Sequence, residues 1–230
     1  MSNREAFLSK VRQAADQGRQ YRVHTQEVPP DIGYIGVGSD LVQRFAEEVT
    51  TVGGQAFVVA NATAARIKLR DLLTEAKATS AVCWQHELLD RLTIHDVLTD
   101  SQIEWLDANR LQALPPAEQR QRLLNCDVGI TSCEAAIAET GTLMMGSRLG
   151  RERLASLIAP IHIAIIERAQ IVPDLIDAFN LLHDRGTAAM PSNVTFITGP
   201  SKTGDIELQL TTGVHGPGIW QVIIIDEPVR

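Results

Sequence analysis

The chain has 230 residues, of which 44% are hydrophobic and 21% are charged, and these proportions are typical of a globular protein. Its net charge of −7, with no basic stripe to offset it, argues against a nucleic-acid partner. Its three cysteines contain no close-spaced pair, which suits a reducing cytosol and is too few for a four-cysteine iron–sulfur cluster. No apolar run approaches about 18 residues, so we expect no membrane span. The cysteine usage leads us to expect a cytoplasmic location.

The first part of the chain predicts a helical arm followed by a linker. Residues 3–16 carry apolar side chains at helical spacing, and Gly18 marks the expected end of that helix. The charged composition of this stretch is not that of a signal peptide. A polar, proline-containing stretch follows. We therefore expect residues 1–35 to form an N-terminal helical arm and linker, and residues 36–230 to form one α/β domain.

Segments typical of helices and of strands alternate through the next part of the chain. A helical stripe ends at Gly53-Gly54 and is followed by the apolar run QAFVVA at 55–60. A second helical stripe begins after Asn61 and is followed by the strand-like run ATSAVCW at 78–84. Such alternation predicts a parallel sheet with covering helices. Residues 90–112 show no clear pattern and are left unassigned.

The second half of the chain adds strands of high apolar content and two more helices. One helix is predicted from Pro115-Pro116 through Leu124, and another begins at Pro173. The residues of the second helix expected to face the core are Leu175, Ile176, Phe179 and Leu182. Strand-like runs occupy residues 127–131, 142–147, 161–167, 193–198 and 220–226. Because these runs are continuously apolar, we predict a largely parallel sheet with helices on both faces.

Polar motifs follow three of these predicted strands. TSCEAAIAETGT follows the strand at 127–131, GSRLGRERL follows the strand at 142–147, and GPSKTGDIE follows the strand at 193–198. Ligands of open parallel sheets bind beyond the carboxyl ends of the strands. We therefore expect the three polar loops to meet at one rim and to form one site.

The loop after residue 198 has the composition of an anion-binding turn. Gly199 and Pro200 form a turn, and Ser201, Lys202 and Thr203 supply hydroxyls, a cation and backbone N–H groups that can hold a phosphate or carboxylate. The alternative is a tight turn with a solvated lysine. The spacing is not that of a Walker P-loop. Two nearby acids complete the candidate ligand-binding stretch, although capping or surface solvation is their simpler role: Asp205 and Glu207.

The segment GVHGPG at 213–218 is a second candidate contact loop. Gly213 and Gly216 permit close approach of the backbone to a ligand. His215 lies between them and is a candidate ligand contact or general base near neutral pH, although a lone histidine in a turn is also a common structural feature. The histidines lack metal-ligand spacing, so we expect no metal site.

The segment AIAETGT at 136–142 supplies a candidate catalytic acid. Glu139 could act as a general base, as a nucleophilic carboxylate or as an acceptor for a hydroxyl, and the alternative role is to cap a turn. The adjoining residues expected to bind ligand are Thr140, Gly141 and Thr142.

Four further charged residues near this segment are weaker candidates. Glu134 is a second carboxylate, nearer the end of the preceding strand. Arg148, Arg151 and Arg153 could clamp a carboxylate ligand, or could simply be the solvated start of a helix.

Three stretches of the sequence together resemble the LUD-domain family. They are ITSCEAAIAETGTLMM, IAPIHIAIIERAQIVPDL and FITGPSKTGDIELQLTTGVHGPGIWQVIIID, within a resemblance that covers roughly residues 36–227. The ordered blocks G-P-S-x-T-x-D-I-E and G-V-H-G-P are its most specific elements. The resemblance implies a fold like that of the NagB/RpiA/CoA-transferase group, with a parallel α/β sheet and a smaller appended part.

The resemblance also implies a role in oxidising L-lactate to pyruvate, beside two partner proteins that carry cysteine-rich iron–sulfur motifs. This chain lacks such motifs, which fits an accessory subunit without a cofactor of its own. The resemblance assigns no catalytic residue. The alternative hypothesis is a free-standing enzyme or binding protein for a small anionic metabolite, with Glu139 as base or nucleophile.

Overall fold

The computed structural model describes residues 3–19, 38–106, 111, 113–204 and 211–229. Contacts divide the chain into two units, Met1–Ile35 and Gly36–Arg230. In the first unit, helix α1 (Asn3–Arg19) continues through Gly18, one residue beyond its predicted end. The predicted linker lies outside the described residues, as do Asp205 and Glu207.

The second unit alternates helices and strands, as its sequence pattern predicts. Its described α-helices are α2 (Leu41–Thr51), α3 (Ala62–Glu75), α4 (Glu87–Arg91), α5 (Ile94–Asp100), α6 (Pro116–Leu124) and α7 (Leu175–Asp184). Its described strands are β1 (Gln55–Val59), β2 (Ser80–Cys83), β3 (Glu104–Leu106), β4 (Val128–Thr131), β5 (Ala135–Ile137), β6 (Thr142–Ser147), β7 (Ile161–Glu167), β8 (Ile171–Val172), β9 (Asn193–Ile197), β10 (Lys202–Thr203), β11 (Thr211–Thr212) and β12 (Ile219–Ile225). The unassigned region 90–112 contains α5 and β3.

A six-stranded parallel sheet forms the centre of this unit, and it confirms the predicted α/β fold. Its strand order is β1-β12-β7-β4-β2-β3. Two neighbouring strands in the interior of the sheet, β12 and β7, are strongly apolar, and the side chains at 163–166 and 222–225 are fully buried. Burial on both faces requires such continuous apolar runs.

A second sheet is built mainly from antiparallel pairs, with strand order β8-β5-β6-β9. Residues 142–147 and 193–197 form strands, but our assignment of these strands to the parallel sheet is wrong. Four residues, 138–141, separate β5 from β6, and a connection this short joins antiparallel strands, whereas parallel strands need a longer crossover. The polar loops at the ends of β6 and β9 therefore do not follow parallel strands.

Helix α7 packs on the second sheet through a narrow apolar side. Ala178 and Leu182 are buried in a small core. The other apolar residues that we expected to face the core are 44%, 46% and 50% exposed, namely Leu175, Ile176 and Phe179. That expectation is wrong for these three residues, because the small core contacts one side of the helix only.

Candidate functional site

An open cavity of about 310 Å³ lies at the amino ends of β7 and β12. This volume is at the small end of the range for sites that bind small molecules, about 300–1,000 Å³. The described residues that line the cavity are Ser156, Leu157, His162, Thr195, Phe196, Ile197, Thr198, Gly199, Ser201, Lys202, His215, Gly216, Pro217 and Trp220. It therefore contains residues from both glycine-containing loops that the sequence singles out. We call it the amino-edge cavity.

Backbone hydrogen bonds join the two loops. The amide of Ser201 donates to the carbonyl of Pro217 over 2.8 Å, and the amide of Gly213 donates to the carbonyl of Ser201 over 2.9 Å. Gly216 packs against Ser201, where a Cβ atom would lie 3.2 Å from the serine Cβ. Gly199 has a φ of +82°, and a Cβ there would lie 2.7 Å from the Val52 carbonyl oxygen. Glycine at position 216 therefore lets the two loops approach closely, and glycine at position 199 lets its loop pack against the end of α2.

The rim of the cavity carries a cation and a histidine. The Lys202 side chain is exposed, and its Nζ donates to the Val52 carbonyl over 2.6 Å, which leaves two of its protons for a ligand. His215 is also exposed and lines the cavity. Thr203 is half-buried and pairs with Thr211 in the β10–β11 ribbon, and it is not among the described lining residues.

The floor of the cavity holds two buried aromatic side chains that lie side by side. His162 in β7 and Trp220 in β12 are register partners, and each is 1% exposed. His162 Nε2 lies 2.8 Å from the Thr131 hydroxyl. Neither His162 Nδ1 nor Trp220 Nε1 has a hydrogen-bond partner in the part of the chain that the structure describes. Burial lowers the pKa of His162 to about 3, so its imidazole is neutral at pH 7.

Our sequence interpretation missed this floor. We considered His162 only as a metal ligand, and it lies instead on the floor of the cavity. A signal was present, because His162 is a polar residue within IHIAIIE, the most apolar strand of the chain. A lone buried polar group in such a strand needs a partner, which makes it a candidate for ligand binding.

A chain of three hydroxyls connects the β5–β6 turn to the edge of the cavity. The Thr142 oxygen lies 2.7 Å from that of Thr140 and 2.7 Å from that of Thr198. Thr142 is buried, and Thr198 lines the cavity. Gly141 is buried against the end of α2. The predicted ligand residues at 140–142 therefore reach the cavity only through Thr198.

The predicted catalytic acid does not line the same cavity as His215. Glu139 is half-buried in the β5–β6 turn, and its amide donates to the Pro173 carbonyl over 3.0 Å. It is absent from the described lining residues. We expect from the sequence that Glu139 and His215 face one pocket on a shared rim, although His215 precedes its strand. The cavity instead lies at the amino edge, because β9 runs antiparallel to β6 and brings residues 198–202 to that side.

The carboxyl edge of the parallel sheet holds a separate cluster of charges. The Glu134 carboxylate, 6% exposed, accepts from Arg148 over 3.3 Å and from Arg151 over 3.2 Å, and it also pairs with Arg185. We call these four residues the carboxyl-edge cluster. Two of the arginines predicted to clamp a ligand therefore hold the protein's own carboxylate. Arg153 is exposed and has no place in the cluster.

The three cysteines are poor metal ligands at neutral pH. Burial raises the pKa of Cys83 to about 12 and raises those of Cys126 and Cys133. Metals bind the thiolate form, which such shifts disfavour. Within the described ranges, no group of three or more His, Cys, Asp and Glu side chains could hold a metal ion. The helices described by the structure include none that is both long and apolar enough to cross a bilayer.

The fold and site define an α/β protein in which a parallel sheet carries a smaller antiparallel sheet and a cavity between two glycine-containing loops. Residues 42–225 match the model of the LUD domain, and the chain belongs to the LUD-domain family.

Two relatives of similar length are each known as lactate utilization protein C. The relative from an Exiguobacterium species is 30% identical over 94% of this chain and 93% of its own. The relative from Shouchella clausii is 28% identical over 99% of both chains. The crystal structure of a DUF162 family protein from Deinococcus radiodurans matches 80% of this chain and 96% of its own, with a TM-score of 0.54 and 20% identity. At that identity, the likeness concerns the fold.

Proposed function

We propose that this protein takes part in lactate utilization in the cytoplasm, as an accessory subunit of an iron–sulfur system that oxidises L-lactate to pyruvate. In this proposal the amino-edge cavity binds the small carboxylate. The observation that carries the proposal is the cavity itself, because it joins the two loops that contain the most specific sequence blocks of the family. The relatives named lactate utilization protein C, matched over nearly their whole length, supply the class of substrate.

The chemistry of the cavity suits a small monoanion. Lys202 supplies a positive charge at the rim, and Ser201 supplies a hydroxyl beside it. Leu157, Phe196 and Ile197 supply apolar surface for a short carbon chain. A neutral imidazole at the floor does not repel a carboxylate. Lactate and pyruvate both have one carboxylate, a second oxygen at C2 and one methyl group, and they match these features.

The redox chemistry belongs to partner proteins in this proposal. Four cysteine thiolates hold a typical iron–sulfur cluster, whereas this chain has three cysteines in total, and burial keeps them protonated. We expect the purified chain to lack stoichiometric iron and cluster absorption. We also expect it to co-purify with proteins that carry clusters. Stoichiometric iron in the isolated chain would contradict this assignment.

Two measurements test the proposal. The assembled system should be reduced when lactate is added, and the isolated chain should bind lactate and pyruvate. We expect the variant Lys202→Ala to weaken the binding of lactate and pyruvate, because it removes the cation at the rim. Lys10→Ala removes an exposed lysine of α1 and serves as the matched control for net charge. Unchanged affinity in Lys202→Ala, with Lys10→Ala also unchanged, would show that the charge of Lys202 does not contribute to binding of the carboxylate.

A second candidate function is that of an enzyme in its own right, with Glu139 and His215 in acid–base roles. The position of His215 on the cavity and the hydroxyl chain from the turn of Glu139 to Thr198 favour this candidate. The variants Glu139→Gln and His215→Asn test it in a strain that lacks the native protein. Loss of growth on lactate with normal folding and partner binding would support the enzyme. Normal growth in both variants would favour the accessory role.

A further inference from the structure

We propose that His162 and Trp220 form the recognition floor of the amino-edge cavity, where their two ring nitrogens bind the carboxylate of a small 2-hydroxy or 2-oxo acid. The class of acid rests on the proposed function. The inference adds the two residues that determine which ligands the cavity accepts, and neither belongs to the two loops that the sequence singles out.

The two nitrogens are an unusual pair for the interior of a protein. Both side chains are 1% exposed, and both nitrogens are buried without a partner in the described part of the chain. Buried polar groups are nearly always hydrogen-bonded, and each exception needs an explanation. These two nitrogens belong to residues that are neighbours across one strand pair and that line one cavity. A ligand that hydrogen-bonds both nitrogens explains the pair with a single group.

The packing of Trp220 leaves its N–H on the side away from helix α2. A Cβ atom on Gly54 would lie 2.4 Å from Trp220 Cε3 and 2.9 Å from Cζ3, so the benzo edge of the indole faces Gly54 and the end of α2. Nε1 lies on the opposite edge of the ring. An indole N–H donates and does not accept, so the ligand has to present an acceptor.

The hydrogen bond between Thr131 and His162 determines which nitrogen of the imidazole carries the proton. If its hydroxyl donates to Nε2 of His162, the proton of the neutral ring lies on Nδ1, and Nδ1 becomes a donor beside the indole N–H. Two neighbouring neutral donors match the two oxygens of one carboxylate. Lys202 is the one lysine or arginine among the described lining residues, so the cavity matches a single negative charge better than a double one.

Three variants separate the contributions of the floor. Trp220→Phe removes the indole N–H and keeps an aromatic ring. His162→Gln places an amide near the position of Nε2, so it keeps a partner for Thr131 and loses the group at Nδ1. His162→Asn does the reverse. Titration calorimetry of the full chain with pyruvate and with L-lactate should show about tenfold weaker binding in Trp220→Phe and His162→Gln, the loss expected for one hydrogen bond to a charged group.

His162→Asn should bind closer to the wild-type affinity than His162→Gln does. Inorganic phosphate should bind more weakly than pyruvate to the wild type. As a spectroscopic signature, pyruvate should shift the indole N–H resonance that disappears in Trp220→Phe. If that variant does not fold, Trp84→Phe and Trp105→Phe assign the same resonance by elimination, because the chain has three tryptophans.

The outcomes distinguish this inference from the proposed function. If Trp220→Phe and His162→Gln bind both acids as the wild type does, while Lys202→Ala binds them weakly, the floor assignment is wrong and the proposed function stands. An indole resonance that does not move on saturation with pyruvate would also overturn the floor assignment. If the wild type binds neither acid, the proposed ligand is wrong, and the floor assignment fails with it.

Discussion

The carboxyl-edge cluster and the amino-edge cavity treat buried polar groups in opposite ways. In the cluster, one carboxylate with 6% exposure has three guanidinium partners. In the cavity, the ring nitrogens His162 Nδ1 and Trp220 Nε1 are buried and have no hydrogen-bond partner among the described residues. The cluster lies where ligands of parallel sheets usually bind, and the cavity lies at the opposite edge.

This difference indicates which edge is structural and which is built for a ligand. A paired buried charge is satisfied within the protein and gains nothing from a ligand. An unpaired buried donor destabilises the folded protein until a ligand binds it, so its presence is a cost that function can explain. Substitutions in the cluster should therefore mainly lower stability, and substitutions in the cavity should mainly lower ligand affinity.

The largest expected effect is the loss of stability in Glu134→Gln. Removing the carboxylate leaves three neighbouring arginines without their partner, and the free energy of unfolding should fall by about 2–4 kcal/mol, since Arg148 and Arg185 retain solvent contact. Urea unfolding measures this change. The control Glu118→Gln disrupts an exposed pair with Arg122 and should cost less than about 1 kcal/mol. Equal losses in the two variants would contradict a structural role for the cluster.

The next effect is the dependence of stability on pH through His162. The pKa is lowered in the folded protein to about 3, so between pH 6.5 and pH 3 the unfolded chain binds a proton that the folded chain does not. Its contribution to stability is therefore complete above pH 6.5 and is lost as pH falls. From pH 7 to pH 5 this one group should lower the free energy of unfolding by about 2 kcal/mol.

His162→Gln should remove that part of the pH dependence, and denaturant titrations at the two pH values measure it. His86, near the carboxyl-edge cluster, provides a comparison. Its pKa is lowered to about 4 by burial and then by the charge of Arg151. Salt should raise the pKa of His86 more than that of His162, because burial alone lowers the latter. An equal response of both histidines to salt would remove this distinction between the regions.

Trp220→Phe should have a smaller effect on stability than either of these changes. The indole N–H has no described partner in the unliganded protein, so its removal breaks no hydrogen bond. The side chain is fully buried, so the smaller ring loses packing, and the free energy of unfolding should fall by about 1–1.5 kcal/mol from that loss alone. Thermal and urea unfolding without ligand measure it. A loss above about 3 kcal/mol would exceed what lost packing explains and would indicate a structural partner for the nitrogen, which would undermine the contrast between the two regions.

Lys202→Ala should have the smallest effect on stability. The side chain is exposed and makes one hydrogen bond, to the Val52 carbonyl, so we expect a loss below about 1 kcal/mol. Urea unfolding at low salt provides the measurement. A loss comparable to that of Glu134→Gln would show that Lys202 primarily fixes the loop against α2.

Local sequence patterns predicted most strands but not the sheet to which each one belongs. The apolar runs at 142–147 and 193–197 are strands because their side chains favour a pleated, half-buried surface. Their antiparallel pairing depends on the short β5–β6 connection, which the sequence contains and our interpretation overlooked. Helix α7 shows the same limit, because its period predicts a helix and the small size of the second core decides how much of it is buried.

The sequence predicted the two loops of the site but not the two residues of its floor. The glycines of the 199–203 and 213–218 segments mark turns that any sequence analysis detects. His162 and Trp220 become neighbours only through the register between β7 and β12, which a single sequence does not contain. The sequence also did not predict at which edge of the parallel sheet the cavity lies, because that depends on the direction of β9.

A crystal structure of the full chain with pyruvate or L-lactate bound tests the central claim most directly. The account predicts ligand density in the amino-edge cavity, with the carboxylate on the ring nitrogens of His162 and Trp220 and with Lys202 at the rim. It also predicts an unchanged pairing of Glu134 with its three arginines. Ligand bound at the carboxyl-edge cluster, with the amino-edge cavity empty, would contradict the account.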